Sequence, residues 1–214
     1  MKKPIICIDR DGTLIHDTRE HLFLGRDNDW QQKVEILPRA VEGLQLLNTI
    51  PDAAIYMITN QGGVAISDFP LLTEDRAHLV CLYVLEKLEE QGALIHDYFL
   101  CPHATPEYVA SRPGYKFHPH LVHECTCLKP DLGMVFNALN AEGITADKAD
   151  IYVIGDRASD VQTALNINGT GILIPFVNEP EEEAKVKKLK NQEQIHIVDD
   201  MYAAAKFIHS RLTG

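Results

Sequence analysis

The chain has no apolar run near the roughly 18 to 20 residues that a membrane-crossing helix needs, and it shows no internal repeat or low-complexity tract. Membrane helices and fibrous architectures are thereby excluded. Positive charge is also short: 20 Lys and Arg stand against 31 Asp and Glu, a formal charge of -11. Nucleic-acid backbones are gripped by clustered Lys and Arg, so this balance argues against a broad nucleic-acid surface. A small anion can still be received by a cation and a few local donors. Cysteine is scarce and odd in number, and five in 214 residues do not make a disulfide framework. Met1-Lys2-Lys3-Pro4 is basic, but only Ile5 to Ile8 follow before Asp9, too few for a signal-peptide core. The expectation is a cytoplasmic protein. With 45% hydrophobic and 24% charged residues, one globular domain over 1–214 is predicted.

Short apolar runs alternate with helical stretches. Pro4-Ile5-Ile6-Cys7-Ile8 reads as a strand buried on both faces, and similar runs lie at 53–58, 98–100, 151–154, 171–174 and 195–198. Helices are predicted over 38–48, 73–92, 131–140, 157–166, 179–190 and 201–212. In the second, Leu79, Leu82, Leu85 and Leu88 read as the buried stripe. The helix at 179–190 reads as a solvated, charged face. Residues 14–36, including His21 and Leu22, read as a loop or short β-flap. The stretch 102–128 carries Pro102, Pro106, Pro113 and Pro119, which disfavours any regular element. Alternation of this kind implies an α/β fold with a doubly wound, mostly parallel sheet. No apolar stripe is left over from which to read an oligomeric state.

In such sheets ligands bind beyond the carboxyl ends of the strands, and each unusual motif sits at one. The first strand ends in Asp9-Arg10-Asp11-Gly12-Thr13, the second in Thr59-Asn60-Gln61-Gly62-Gly63, the third in Cys101-Pro102-His103 and the fourth in Gly155-Asp156. A strand has a side-chain period of two, so Asp9 and Asp11 project the same way. Two such carboxylates ask for a cation or for a shared proton. Ordinary turn preference explains one aspartate and the glycine, but not the whole pentapeptide.

Together these ends compose a phosphoryl-transfer site. Asp9 is the candidate nucleophile, attacking phosphorus to form an aspartyl-phosphate. Asp11 is the candidate general acid and base. Mg²⁺ suits an oxygen-rich site and would be held by Asp9, the main-chain carbonyl of Asp11, and Asp156. Thr59 and Asn60, with the amides that follow, are expected to bind the substrate's phosphate. Lys129, just before Pro130, is the candidate for neutralising charge on it. Asp160, one turn after Asp156, is expected to orient Lys129 or the metal's surroundings. Cys101, His103, Cys125 and Cys127 form a Cys₃His set that would close a tetrahedral Zn²⁺ site. They can equally be loop thiols and a surface histidine, because C-x-H with C-x-C is less diagnostic than paired C-x-x-C. His118, His120 and His123 are rival ligands in the same loop.

In their order, Asp9-Arg10-Asp11-Gly12-Thr13, Thr59-Asn60, Lys129-Pro130 and Gly155-Asp156-Arg157-Ala158-Ser159-Asp160 resemble the four motifs of the haloacid dehalogenase-like phosphatases. Cys101-Pro102-His103 followed by Cys125-Thr126-Cys127-Leu128-Lys129-Pro130 is similar to their zinc-loop group, which includes histidinol-phosphate and heptose-bisphosphate phosphatases. The resemblance implies a Rossmann-like core without a large cap domain, a zinc-loop insertion at 101–127, and a structural Zn²⁺. It also implies a Mg²⁺-dependent phosphomonoesterase of carbohydrate metabolism or histidine biosynthesis, acting on a small phosphorylated metabolite. Two other readings are a nucleic-acid-end phosphatase, against which the acidic charge stands, and a non-catalytic, zinc-stabilised binding protein. The sequence departs from the group at Leu128, where arginine is usual, and in a longer loop between His103 and Cys125. Arg112, Tyr115, Lys116 and the loop histidines are thereby available to a substrate.

Overall fold

The computed structural model describes residues 2–16, 23–176 and 179–214. A six-stranded sheet, parallel throughout, runs through the centre in the order β3-β2-β1-β4-β5-β6. The strands are β1 (Lys3–Ile8), β2 (Ala54–Asn60), β3 (Asp97–Cys101), β4 (Ala149–Gly155), β5 (Thr170–Leu173) and β6 (Ile195–Ile197). Both faces are covered, which is why the strands read as continuous apolar runs rather than alternating ones. Ile6 and Ile8 face α1 (Ala40–Asn48), α2 (Glu74–Glu89) and the last helix, Met201–Thr213, in one core. Ile5 and Cys7 turn to the other core, beneath the helices Gly133–Ala141 and Ala158–Asn166. The chain builds outward from β1 to β2 and β3, then returns to β1's other side with β4. Strand order therefore reverses between β1 and β4, and their carboxyl ends open the crevice where open α/β sheets bind ligands.

The expected α/β, doubly wound class is what the chain adopts, without a large cap among the described residues. Three local expectations are corrected. First, α2 buries Ala77, Val80, Cys81, Val84 and Leu88, while Leu79 and Leu82 are 53% and 51% exposed. The small residues face inward because the buried Arg10 guanidinium reaches this helix, donating from Nη1 to Cys81 Sγ at 3.5 Å. Leucine count misled, and two leucines are left on the surface after all. Second, the Pro-rich stretch after β3 does contain regular elements: a helix at Pro106–Ala110 and a 3₁₀ turn at Pro119–Leu121. Thr105 caps the helix, accepting from Tyr108 N at 3.2 Å, and Pro106 suits its first turn. Third, the segment read as a solvated, charged face forms the helix Pro180–Val186, which also has a buried side, Glu182 and Val186. Of the expected flap, Ile15 bridges to Ile36 and a 3₁₀ turn forms at Trp30–Lys33. His21 and Leu22 lie outside the described residues.

Candidate active site

Asp9 extends the β1 ladder by one residue, its N–H donating to Ile154 O at 2.8 Å, so its side chain is anchored on the sheet. The chain then turns back at once: Leu14 and Ile15 N–H both donate to Arg10 O. Gly12 makes this possible with φ +81°, and a Cβ there would lie 2.3 Å from Asp156 Oδ2. The glycine is needed twice over, for its left-handed backbone and for the approach of a carboxylate. Gly155 does the same for Asp160, whose Cγ would be 2.2 Å from an added Cβ.

At the floor stand three buried carboxylates, Asp9, Asp156 and Asp160, each with an oxygen within 4.8 Å of the others. Lys129, 5% exposed, sits among them with Nζ 2.5 Å from Asp9 and 2.6 Å from Asp160, and it also donates to Ile58 O at 3.1 Å. Its own burial works against the charge, but the carboxylates of Asp160 and Asp9 outweigh it and hold the ammonium protonated. The carboxyls move the other way. Burial first, with crowding by Asp160 and Asp11, pushes Asp9 up to about 7 despite Lys129. Asp156 is raised for the same reasons, burial and then the charges of Asp9 and Asp160. Neither oxygen of Asp156 has a hydrogen-bond partner among the described residues, and its nearest cation, Arg157 Nε at 3.9 Å, belongs to a side chain bonded to Glu179 at 2.9 Å. Three carboxylates against one ammonium leave two formal negative charges. One divalent, oxygen-seeking cation would balance them and satisfy Asp156, so the donor set fits Mg²⁺.

The carboxylate of Asp11 is not in that cluster. It accepts from Arg10 Nη2 at 2.9 Å and Nε at 3.1 Å, and from Gln61 Nε2 at 2.9 Å. The Asp11 side chain thus lines the cavity wall, apart from the three buried carboxylates. Thr59 Oγ1 accepts from the same Gln61 Nε2 at 2.7 Å. Gln61, buried and tying Thr59 to Asp11, is absent from the residues expected at the site, although its place in Thr59-Asn60-Gln61 could have signalled it. Asn60 has a structural task as well. Its amide donates to Lys129 O at 3.2 Å and accepts from Lys129 N at 2.9 Å, so it holds the lysine's main chain in place.

Above the floor opens a cavity of about 430 Å³, a size suited to a small metabolite. Asp9, Asp11, Thr59, Asn60 and Lys129 line it, with Asp160 alongside. Its walls add Phe23, Tyr108, Arg112, Tyr115 and Leu128. Lys116 is not among the lining residues.

Beside the cavity, Cys101, His103, Cys125 and Cys127 converge, and His123 stays outside the group with its ring 4.3 Å from that of His103. Cys127 Sγ lies 3.0 and 3.4 Å from the sulfurs of Cys101 and Cys125, Cys101 and Cys125 are 3.6 Å apart, and His103 Nδ1 is 3.3 Å from Cys127 Sγ. A tetrahedral Zn²⁺ with bonds near 2.3 Å spaces its sulfurs by about 3.8 Å, close to this arrangement, whereas a disulfide needs about 2.05 Å. Burial raises the Cys101 and Cys127 thiols and lowers the His103 imidazole, which keeps the histidine neutral as a ligand must be. The set fits zinc, which would staple the end of β3 to the segment that carries Lys129.

The family model described as HAD-hydrolase-like matches residues 126–204. The histidine biosynthesis bifunctional protein HisB of Buchnera aphidicola (Schizaphis graminum) is 31% identical over 172 residues, 80% of this chain and 41% of the relative. HisB of Blochmanniella floridana is 29% identical with the same coverage of both. The chain thus spans about two fifths of the length of these curated relatives. Among solved structures, D,D-heptose 1,7-bisphosphate phosphatase of B. bronchiseptica, complexed with magnesium and phosphate, superposes with a TM-score of 0.72 at 20% identity, covering 97% of this chain and 99% of that one. The phosphatase of the same description from Burkholderia thailandensis gives 0.59 at 16% identity, with the same coverage. The resemblance read in the four motifs is borne out, in fold and in the company the chain keeps.

Proposed function

We propose that this haloacid dehalogenase-like phosphatase is a Mg²⁺-dependent phosphomonoesterase that works through an aspartyl-phosphate on Asp9. The reading rests on one observation above the rest: a buried Asp9 carboxylate touching Lys129 at the floor of a metabolite-sized cavity, beside an Asp156 whose oxygens lack partners. Asp9, the main-chain carbonyl of Asp11, and Asp156 would hold Mg²⁺, which when bound supplies positive charge to the transferring phosphoryl group and keeps Asp9 ionised.

A carboxylate oxygen of Asp9 attacks phosphorus, and the bond from phosphorus to the ester oxygen breaks. The leaving oxygen takes a proton from Asp11. A protonated Asp11 pairs weakly with Arg10, so the carboxyl that gives the proton is also the one freed toward the cavity. Ionised again, Asp11 returns to Arg10 and Gln61 and receives a proton from the water that attacks phosphorus. The Asp9 acyl-phosphate bond then breaks, releasing inorganic phosphate and restoring the carboxylate. Lys129 remains protonated throughout and neutralises oxygen charge as the phosphoryl group passes. The segment 101–127 acts as a zinc-stapled insertion in a single domain over 1–214, and the substrate is a small phosphorylated metabolite of the cytoplasm, a sugar phosphate such as a heptose bisphosphate, or histidinol phosphate.

The test is phosphate release from sugar phosphates, sugar bisphosphates and histidinol phosphate with and without Mg²⁺. Turnover should require Mg²⁺ and fall by about 10⁴-fold or more in Asp9→Asn, with the fold intact. Retained activity in that variant would sink the mechanism, and turnover of none of the esters by the wild type would leave the non-catalytic reading standing.

A further inference from the structure

The wall of the cavity carries a guanidinium that no carboxylate accounts for. Each acid lining the cavity is already engaged: Asp9 and Asp160 with Lys129 at the floor, Asp11 with Arg10 on the wall. Arg157 is bound to Glu179. Arg112 remains, and among the described residues no carboxylate pairs with it. It is not loose, however. Its guanidinium lies 3.8 Å over the Tyr108 ring, and Nη1 donates to Ser111 Oγ at 2.9 Å, which itself donates to Tyr108 O at 2.8 Å. Tyr108 is fixed in turn by the Thr105 cap and by edge contact with Phe117. Its ring lies against Gly62, where an added Cβ would be 3.3 Å from the ring's Cζ. The platform that carries Arg112 is thus seated on the turn that follows Thr59 and Asn60.

A half-buried, oriented guanidinium with donors to spare binds oxyanions in preference to neutral or cationic groups. The opposite group finds no free partner there, because among the described residues the one acid lining the cavity away from its floor, Asp11, is held by Arg10 and Gln61. Leu128, also in the wall, offers only apolar contact. From this we propose that Arg112, held on Tyr108, is the specificity-determining residue of the site, selecting phosphomonoesters whose leaving group carries a second anionic group, a phosphate or a carboxylate. The proposal rests on the phosphatase reading above. It places the anion contact in the inserted loop, on a residue that reaches the cavity only because the helix at Pro106–Ala110 forms.

The experiment uses four esters of one carbon skeleton, three-carbon chains with phosphate at one end and hydroxyl, carboxylate, phosphate or ammonium at the other. In the wild type, kcat/KM for the carboxylate or phosphate ester should exceed that for the hydroxyl ester by about 10- to 100-fold, the effect of one charge-assisted contact. The two anionic arms tell which oxyanion is preferred. In Arg112→Gln that ratio should collapse toward unity, chiefly through KM. Arg112→Lys, which keeps the charge and loses the planar fork, should fall between. A ratio unmoved by Arg112→Gln, or a wild type that prefers the ammonium ester, would overturn the proposal while leaving the phosphatase intact. Failure of every ester with the wild type would remove the phosphatase reading and this inference together.

Discussion

The crowded floor of the site makes metal-free stability depend on pH in a way that one substitution should abolish. In Asp9→Asn the side chain keeps its shape and loses its titration. Burial raises the Asp9 carboxyl from its ordinary 3.8 to about 7, so the fold favours the protonated form. The resulting stability is complete below about pH 4 and is lost as pH rises through about 7. Between pH 5 and pH 8 the loss amounts to about 2 to 3 kcal/mol, or a fall of about 5 to 10 °C in unfolding temperature for a chain of this size. Asp156, raised by burial and by its acidic neighbours, acts in the same direction. His196, whose imidazole burial holds below its ordinary value, acts in the opposite one. Subtracting the Asp9→Asn curve cancels what the two proteins share. Zinc-loaded, Mg²⁺-free wild type and variant would be unfolded with urea and heat from pH 5 to 8. The wild type should lose about 2 to 3 kcal/mol relative to the variant across that range. Saturating Mg²⁺ should recover it at pH 8, since a ligand at a hundred times its Kd contributes about 2.7 kcal/mol. The variant should respond far less. Parallel pH curves for the two proteins, or equal responses to Mg²⁺, would refute the assignment of Asp9 to a buried, cation-seeking cluster.

Asp160→Asn leaves Lys129 with a single buried carboxylate and should reduce kcat more than KM is changed; an unaltered kcat would contradict a positioning role for the Lys129–Asp160 pairing at 2.6 Å. Protein purified without chelator should carry about one zinc per chain. Cys125→Ser and Cys127→Ser should each lower stability by at least about 2 kcal/mol and slow phosphate release, because Cys127 lies two residues before Lys129. Metal analysis finding no zinc would count against the Cys₃His site.

The chain's architecture could be read from its own periodicities. Pro4-Ile5-Ile6-Cys7-Ile8 is apolar without alternation because helices cover both faces of β1, and that signal is local. The ends of β1, β2 and β4 could be found the same way, since an aspartate or threonine directly after a buried run can only lie at the crevice. The Cys₃His set was visible as residue types and gained meaning when the fold brought Cys101 and His103 to within 3.6 Å of Cys125 and Cys127.

What sequence could not supply was which side chain faces which. The sequence pattern chose leucines for the buried face of α2, whereas Arg10, arriving from β1, requires Cys81 there. Asp9 and Asp11 share a strand parity, yet the tertiary fold sends one to Lys129 and the other to Arg10 and Gln61. Asn60, expected at the substrate, lines the cavity and also holds the main chain of a residue 69 positions away. Local propensity and side-chain period act along one segment, so the sequence by itself determined the strands, their order of chemistry and the candidate residues. The pairing of charges arises where strands from distant parts of the chain meet in a buried, poorly screened space, and only the tertiary structure decided it.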